Sequence, residues 1–367
     1  MKKILVNAFS AKVGGGKTYI VNLLQRMPNE DFRLYIYLPD DMSIPEDKRI
    51  IRLRTKWPTE NPIFRSFWEQ FILPCTLKKL EIDILFCPGG VYNTPKSKQY
   101  KIVTMFRNML PFDPRILFSS DSWFEKIRGI LRKRVMLKSM TKADLVIFIS
   151  NFARKVIESQ AVLNKAVTIP HGISKPFYVF DKQLPRPELP FTDKYILYVS
   201  RFEFYKRHME VAKAYAKLPE NIKQSHKLLL VGGTDLPYGT EVIEYVRKNN
   251  IQGIHFLGDY PYSKLPDLYK NAELIIFAST CENCPNILLE SLGAGVPVLS
   301  SNYDPMPEFG GTAITYMNPD DPDDIADKIK KILSKEILQD RNEIKSQADK
   351  YAWEITAEKT WKELLSI

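Results

Sequence analysis

Residues 277–301 read FASTCENCPNILLESLGAGVPVLSS, and the order of chemistry within them decides how the rest of the chain is read. An apolar run ends at Ser279, a loop carries Glu282, and a helix opening near Pro285 carries Glu290, eight positions after the first glutamate. The next apolar run, Val296–Ser300, follows directly. This is strand, loop, helix, strand, the unit from which parallel sheets are built. Pro285 in a first helical turn wastes no hydrogen bond, and the open amides there favour an anion.

Working outward, the same rhythm fills both halves of the 367-residue chain. Apolar runs in the first half are Lys3–Phe9, Arg33–Leu38, Asp83–Phe86, Lys101–Phe106, Leu145–Ser150 and Ala166–Ile169. In the second half, Tyr195–Ser200, His226–Val231, Ile254–Leu257 and Leu274–Ala278 precede Val296–Ser300. The runs are continuous rather than alternating, so the strands are expected to be parallel and covered on both faces. A proline-rich stretch, Lys175–Asp193 (KPFYVFDKQLPRPELPFTD), reads as a linker. The predicted fold is α/β, two tandem Rossmann-like domains with a cleft between them. Domains are expected at 1–170 and 171–349, with a final helix at 350–367. Loops Ser10–Gly16, Ser200–Lys206, Val231–Asp235 and Ser279–Pro285 follow strands and are expected to face that cleft.

Composition excludes several classes. No apolar run approaches the ~18 residues of a membrane span, and MKKILVN turns polar too soon for an export signal, so a cytoplasmic protein is expected. Four cysteines then read as free thiols. The net charge of +10 is uneven: residues 1–170 carry 29 Lys/Arg against 15 Asp/Glu, a net +14, and the remainder is net −4. Such a front half suits an anionic partner, although a merely solvated basic surface has the same composition.

The segment AKVGGGKT (residues 11–18) fits the loose phosphate-loop pattern, with Ala11 where the stricter form has glycine. That chemistry also needs a second strand ending in an aspartate that holds magnesium, and Asp40 alone answers the description. An NTPase would leave the second domain without a role. Gly14, Gly15 and Gly16 supply a tight turn at a helix start in either case, a place for a diphosphate without hydrolysis of ATP.

Glu282 and Glu290 alone would be ordinary surface glutamates. They stand, however, in an ordered series: GGGKTYIVNLL, ADLVIFISNFARK, TIPHGIS, ILYVSRFEFYKRH, LLLVGG, FLGDYPYSKLPDLYKNAELIIFAS and PDDPDDIADKIKKIL. Together these resemble the retaining nucleotide-sugar glycosyltransferases of family 4, which have the GT-B architecture; residues 30–140 match least. The resemblance implies a hexosyltransferase-type enzyme moving a sugar from a nucleoside-diphosphate donor to a glycan or lipid-linked acceptor, in surface polysaccharide or glycolipid synthesis. It implies a metal-independent reaction with no cofactor and no nucleic acid partner. Glu282 would hold donor-sugar hydroxyls and Glu290 the ribose hydroxyls, while amides of Asn283, Cys284 and Asn286 meet the diphosphate. Arg201 and Lys206 would neutralise the leaving diphosphate. Gly14 and Gly15 would approach it from the first domain, and Tyr260 lies where the family holds the base.

Departures from the family pattern matter too. Arg107 stands where a histidine is common and is expected to contact the acceptor or diphosphate; the duller reading is a salt-bridged arginine at a strand end. Ser150 is a second candidate contact with acceptor or sugar. His171 replaces a commoner asparagine. Cys281 and Cys284 have metal or redox spacing but no matching partner pair, so they read as small loop residues and no metal is expected. The basic segment Trp123–Lys142 is a helix candidate whose Ile127, Ile130, Leu131 and Val135 are expected to pack on the sheet. Its basic face then suits an anionic membrane, which places the enzyme peripherally at the inner face. Tyr351–Ile367 is expected to cross back to the first domain. Two rivals stay open: a phosphate-loop NTPase or kinase, and an inactive module that binds nucleotide sugars.

Overall fold

The computed structural model describes residues 1–11, 14–40, 42–119 and 122–367. Lys12 and Val13 of the glycine-rich loop lie outside the described residues. The chain divides into two compact units, Met1–Gly172 with Trp353–Ile367, and Ile173–Ala352.

Unit 1 is built on seven strands: β1 (Lys2–Asn7), β2 (Phe32–Tyr37), β3 (Ile50–Leu53), β4 (Ile84–Cys87), β5 (Lys101–Phe106), β6 (Leu145–Phe148) and β7 (Ala166–Thr168). They lie in the order β3-β2-β1-β4-β5-β6-β7, every pairing parallel. Val6 on β1 registers with Ile36 on one side and Phe86 on the other, and all three are buried. The strand order reverses between β1 and β4, which makes the carboxyl ends there the natural place for a ligand. The helix Trp353–Ser366 completes this unit's core. Its Trp361 donates from Nε1 to Leu23 O at 3.0 Å and lies 5.1 Å from the Phe32 ring.

Unit 2 carries β8 (Lys194–Val199), β9 (His226–Val231), β10 (Ile254–Gly258), β11 (Leu274–Phe277), β12 (Val298–Ser301) and β13 (Thr315–Met317). The order is β10-β9-β8-β11-β12-β13, again all parallel. Here the reversal falls between β8 and β11, the strands that lead into Arg201 and Glu282. Both units are thus parallel-sheet α/β, as the continuous apolar runs predict.

Three expectations change. β3 and β13 were not foreseen, because both are sheet-edge strands and their sequences, IIRL and TYM, lack a long apolar run. The proline-rich stretch after Lys175 is not a free linker. Phe177, Val179 and Phe180 are buried in unit 2, and Val179 N donates to Gly293 O at 3.0 Å. The helix Trp123–Lys142 forms, yet it buries only Met136, Ser139 and Met140. Ile127, Leu131 and Val135 are exposed instead of packed, and Trp123 and Phe124 are 74% and 73% exposed.

Candidate active site

In unit 2, β8 ends at Val199 and the chain turns through Arg201 to Lys206 before the helix His208–Ala216. That turn is fixed from several sides. Thr280 donates to Tyr205 O from its amide at 2.8 Å and from its hydroxyl at 3.2 Å, tying the turn to the loop after β11. The Tyr198 hydroxyl donates to Lys206 O. Beneath lies His208, fully buried, stacked 4.5 Å from the Tyr198 ring and 3.9 Å from the Phe202 ring. Burial, with Lys206 adding to it, pushes the imidazole down to about 3, so it stays neutral and acts as a flat spacer. Gly232 follows β9 at φ 146°, and any Cβ there would overlap the Ser200 carbonyl.

Lys206 and Glu282 form an ion pair, with side chains only 11% and 15% exposed. The Lys206 ammonium also lies 5.3 Å from the Tyr205 ring and 5.5 Å from the Phe277 ring. Aromatic faces on two sides keep a partly dehydrated cation tolerable. Arg201 differs: it is exposed and pairs with Asp235 at 2.9 Å.

Glu290 sits on the helix Asn286–Ala294, which starts after Pro285 and carries no side-chain cap. First-turn amides have no acceptor within a helix. Of the three amides expected to meet a diphosphate, that of Asn286 donates to Cys284 O at 2.9 Å; Asn283 and Cys284 are buried in the loop before it. The Glu290 carboxylate is buried and accepts from the Tyr262 hydroxyl at 2.8 Å and the Tyr269 hydroxyl at 3.4 Å. Burial raises its pKa to about 7, against the opposing pull of the two hydroxyls. It therefore changes charge near neutrality. Tyr262, two residues beyond the Tyr260 expected near the base, reaches this carboxylate, a contact the sequence reading did not name. Tyr262 lies in the turn before the helix Leu265–Lys270 and Tyr269 near that helix's end, and only tertiary packing brings them to Glu290.

In unit 1, Gly14 caps the helix Gly15–Gln25 at φ 61°, a conformation that favours glycine. The Arg107 guanidinium lies against Gly16, where a Cβ would come within 3.3 Å of it, and over the Tyr19 ring at 5.7 Å. Arg107 and the glycine turn are thus neighbours. Ser150 is fully buried, and its hydroxyl accepts from Ala153 N at 3.1 Å, capping the helix Asn151–Glu158. His171 stacks on Trp353 at 5.5 Å beside Tyr19, so it belongs to the seat of the last helix. A buried carboxylate escaped the sequence reading altogether. Glu69 accepts from Asn7 Nδ2 at 2.8 Å and from Asn93 N at 3.0 Å.

Comparisons with known proteins bear on the family and the fold. The family model for glycosyltransferase family 4 matches residues 13–175, and that for glycosyl transferases group 1 matches 179–351. The O-antigen chain mannosyltransferase B of Escherichia coli is 27% identical over 68% of this chain and 67% of its own length. A Campylobacter jejuni N-acetylgalactosamine-N,N'-diacetylbacillosaminyl-diphospho-undecaprenol 4-alpha-N-acetylgalactosaminyltransferase is 23% identical over 83% and 81%. Among solved structures, sucrose-phosphate synthase from Thermosynechococcus elongatus superposes with a TM-score of 0.74 at 18% identity, covering 100% of both chains. With the two family models accounting for nearly all of both units, the chain belongs to glycosyltransferase family 4 and is a hexosyltransferase-type enzyme of GT-B architecture.

Proposed function

We propose that the enzyme transfers a hexose from a nucleoside-diphosphate sugar to a lipid-linked glycan with retention of configuration, at the inner face of a membrane. The observation that carries the donor half is Glu290: a buried carboxylate held by two tyrosine hydroxyls, on the helix that follows the Glu282 loop. Ribose hydroxyls are hydroxyl donors of the same kind as Tyr262, and a carboxylate accepts two at once. Glu282 orients hydroxyls of the donor sugar.

In the reaction, the bond between the sugar's anomeric carbon and the phosphate oxygen breaks, and its electron pair leaves with the diphosphate. Lys206 and Arg201 stabilise that growing charge. The acceptor oxygen bonds to the same face of the anomeric carbon, and its proton passes to the departing phosphate oxygen. No protein nucleophile and no metal are called for.

The acceptor half rests on the relatives and on surface chemistry. The Campylobacter jejuni relative's name gives it a diphospho-undecaprenol acceptor. No helix among the described residues is long and apolar enough to cross a membrane. The Trp123–Lys142 helix instead offers seven basic residues against one acidic, with Trp123, Phe124 and Leu131 exposed among them. Aromatic side chains beside basic ones suit an anionic lipid surface.

The test is a thermal-shift panel of UDP, GDP, ADP, CMP and ATP with and without magnesium, on wild type and Glu290→Ala. One nucleoside diphosphate should stabilise the wild type without magnesium and fail on the variant. Stabilisation by ATP only with magnesium, lost in Lys17→Ala instead, would overturn the reading in favour of a phosphate-loop enzyme.

A further inference from the structure

We infer that unit 1 carries a carbohydrate subsite apart from the reacting centre: a pocket of about 270 Å³ at the carboxyl ends of β1, β2 and β3 that holds one hexopyranose ring of the acceptor. The inference rests on the proposed glycan acceptor and adds the place where part of it is recognised.

The lining has the two kinds of surface a sugar ring needs. A hexopyranose presents an apolar C–H face and an edge of hydroxyls. Phe9 and Trp57 supply aromatic surface, while Asp40, Arg54, Thr55 and Glu60 supply acceptors and donors. Carboxylate and guanidinium groups take neighbouring hydroxyls in pairs, which gives orientation as well as attraction. The volume falls just under the ~300–1,000 Å³ typical of drug-sized ligands, a size for a single ring.

The walls are built rather than accidental. Phe9 packs 5.3 Å from the Tyr37 ring and edge-on to Trp68 at 5.6 Å. Trp57 packs on Phe67 at 5.6 Å with the rings tilted by 30°. Arg52 fixes the exit of β2 by donating to Pro39 O at 2.7 Å and Met42 O at 3.0 Å. Asp40, beside it, is 94% exposed and touches Arg52 only loosely, at 3.9 Å, so its oxygens remain open to a ligand.

Position separates this pocket from the glycine turn. Phe9 immediately precedes the Ser10–Gly16 loop, but Arg107 and Gly16 lie toward the β4–β5 side of β1, and the pocket lies toward β2 and β3. A ring held there belongs to the acceptor chain and not to the hydroxyl under attack. Hydrocarbon is a poor occupant, because it would strip water from Asp40, Arg54 and Glu60 without replacing their hydrogen bonds.

The experiment labels the indole nitrogens of the five tryptophans and follows their NMR resonances in the full chain. Trp57→Phe identifies the Trp57 signal. Probes are methyl α-mannopyranoside, methyl α-glucopyranoside, methyl N-acetyl-α-galactosaminide, their α-linked disaccharides, UDP, GDP and phosphatidylglycerol vesicles. The expected result is a saturable, millimolar shift of the Trp57 resonance by a glycoside, weakened at least tenfold in Arg54→Ala, with no shift from the diphosphates. Silence from every glycoside, in protein that a nucleoside diphosphate still stabilises, would overturn the pocket and leave the donor reading standing. A glycoside shift in protein that no nucleotide stabilises would support the pocket and overturn the donor reading. A shift from vesicles alone would overturn the pocket in favour of a membrane contact running on through Phe67 and Phe71.

Discussion

The two units treat their polar groups in opposite ways. In unit 2 the key charges are satisfied before any substrate arrives: Lys206 with Glu282, and Glu290 with Tyr262 and Tyr269. In unit 1 the groups around the pocket and along the Trp123–Lys142 helix face outward, with Asp40, Arg54, Trp57, Trp123 and Phe124 exposed. If unit 2 holds the donor as proposed, these fixed pairs present a nucleoside diphosphate with charges already in place. Acceptor recognition tolerates open, solvated chemistry. Binding there costs less desolvation and confers less strength per group.

That contrast is sharpest at Lys206. Lys206→Ala should lower transfer by ~10²–10³-fold through loss of leaving-group stabilisation. It should also cost roughly 3–5 kcal/mol of stability, since Glu282 is left nearly buried without its cation. Initial rates and a urea unfolding curve check both, and an unchanged unfolding curve would break the claim that unit 2 is paired in advance. On the open side, replacing Arg132, Lys133 and Arg134 by alanine should reduce binding to phosphatidylglycerol vesicles about a hundredfold, at ~1 kcal/mol per basic residue. Unfolding should not change. Co-sedimentation of vesicles reads the effect.

Glu290 yields two pH trends of opposite sign. Its folded pKa of about 7 lies above the ordinary 4.5, so its stabilising share is complete below 4.5 and is lost as pH rises through 7. Wild type should therefore lose ~1–3 kcal/mol between pH 5 and pH 8 through this group, and Glu290→Gln should not. Affinity for the nucleoside diphosphate should instead rise with pH, by up to about tenfold per unit below 7, because ribose hydroxyls donate to the carboxylate. Calorimetric titrations from pH 5.5 to 8 would show it, and a flat profile would place the ribose elsewhere. The smallest effect is expected at Ser150, where alanine removes a helix cap and costs ~1 kcal/mol with turnover unchanged. A large drop in turnover would return Ser150 to the site.

The places of the candidate residues of unit 2 were legible in the sequence because they follow long apolar strands at fixed intervals. Arg201 and Lys206 come just after β8, Glu282 just after β11, and Glu290 two turns into the next helix. The ends of the sheets were not legible, since β3 and β13 are short edge strands without the pattern of buried ones. Nor were the partners that tune the site. Tyr262, Tyr269 and His208 meet their targets only through packing between elements that are distant in sequence. The Trp123–Lys142 helix misled for the converse reason: a helical stripe predicts that a face will be covered, and here Ile127, Leu131 and Val135 meet solvent. The Pro62–Phe71 helix shows the same inversion, with Glu69 buried while Ile63, Phe64, Phe67 and Phe71 are exposed.

The return of Trp353–Ser366 to unit 1 also sets a timetable for synthesis. Unit 2 occupies Ile173–Ala352, and its two ends are joined by the Ile173 amide donating to Tyr351 O at 2.7 Å. A ribosome makes every residue of that unit before it makes Trp353 or Trp361, both of which are buried in unit 1. The half begun first is thus completed last: until the final residues are made, Trp361 cannot meet the Phe32 ring or the Leu23 carbonyl that wait for it.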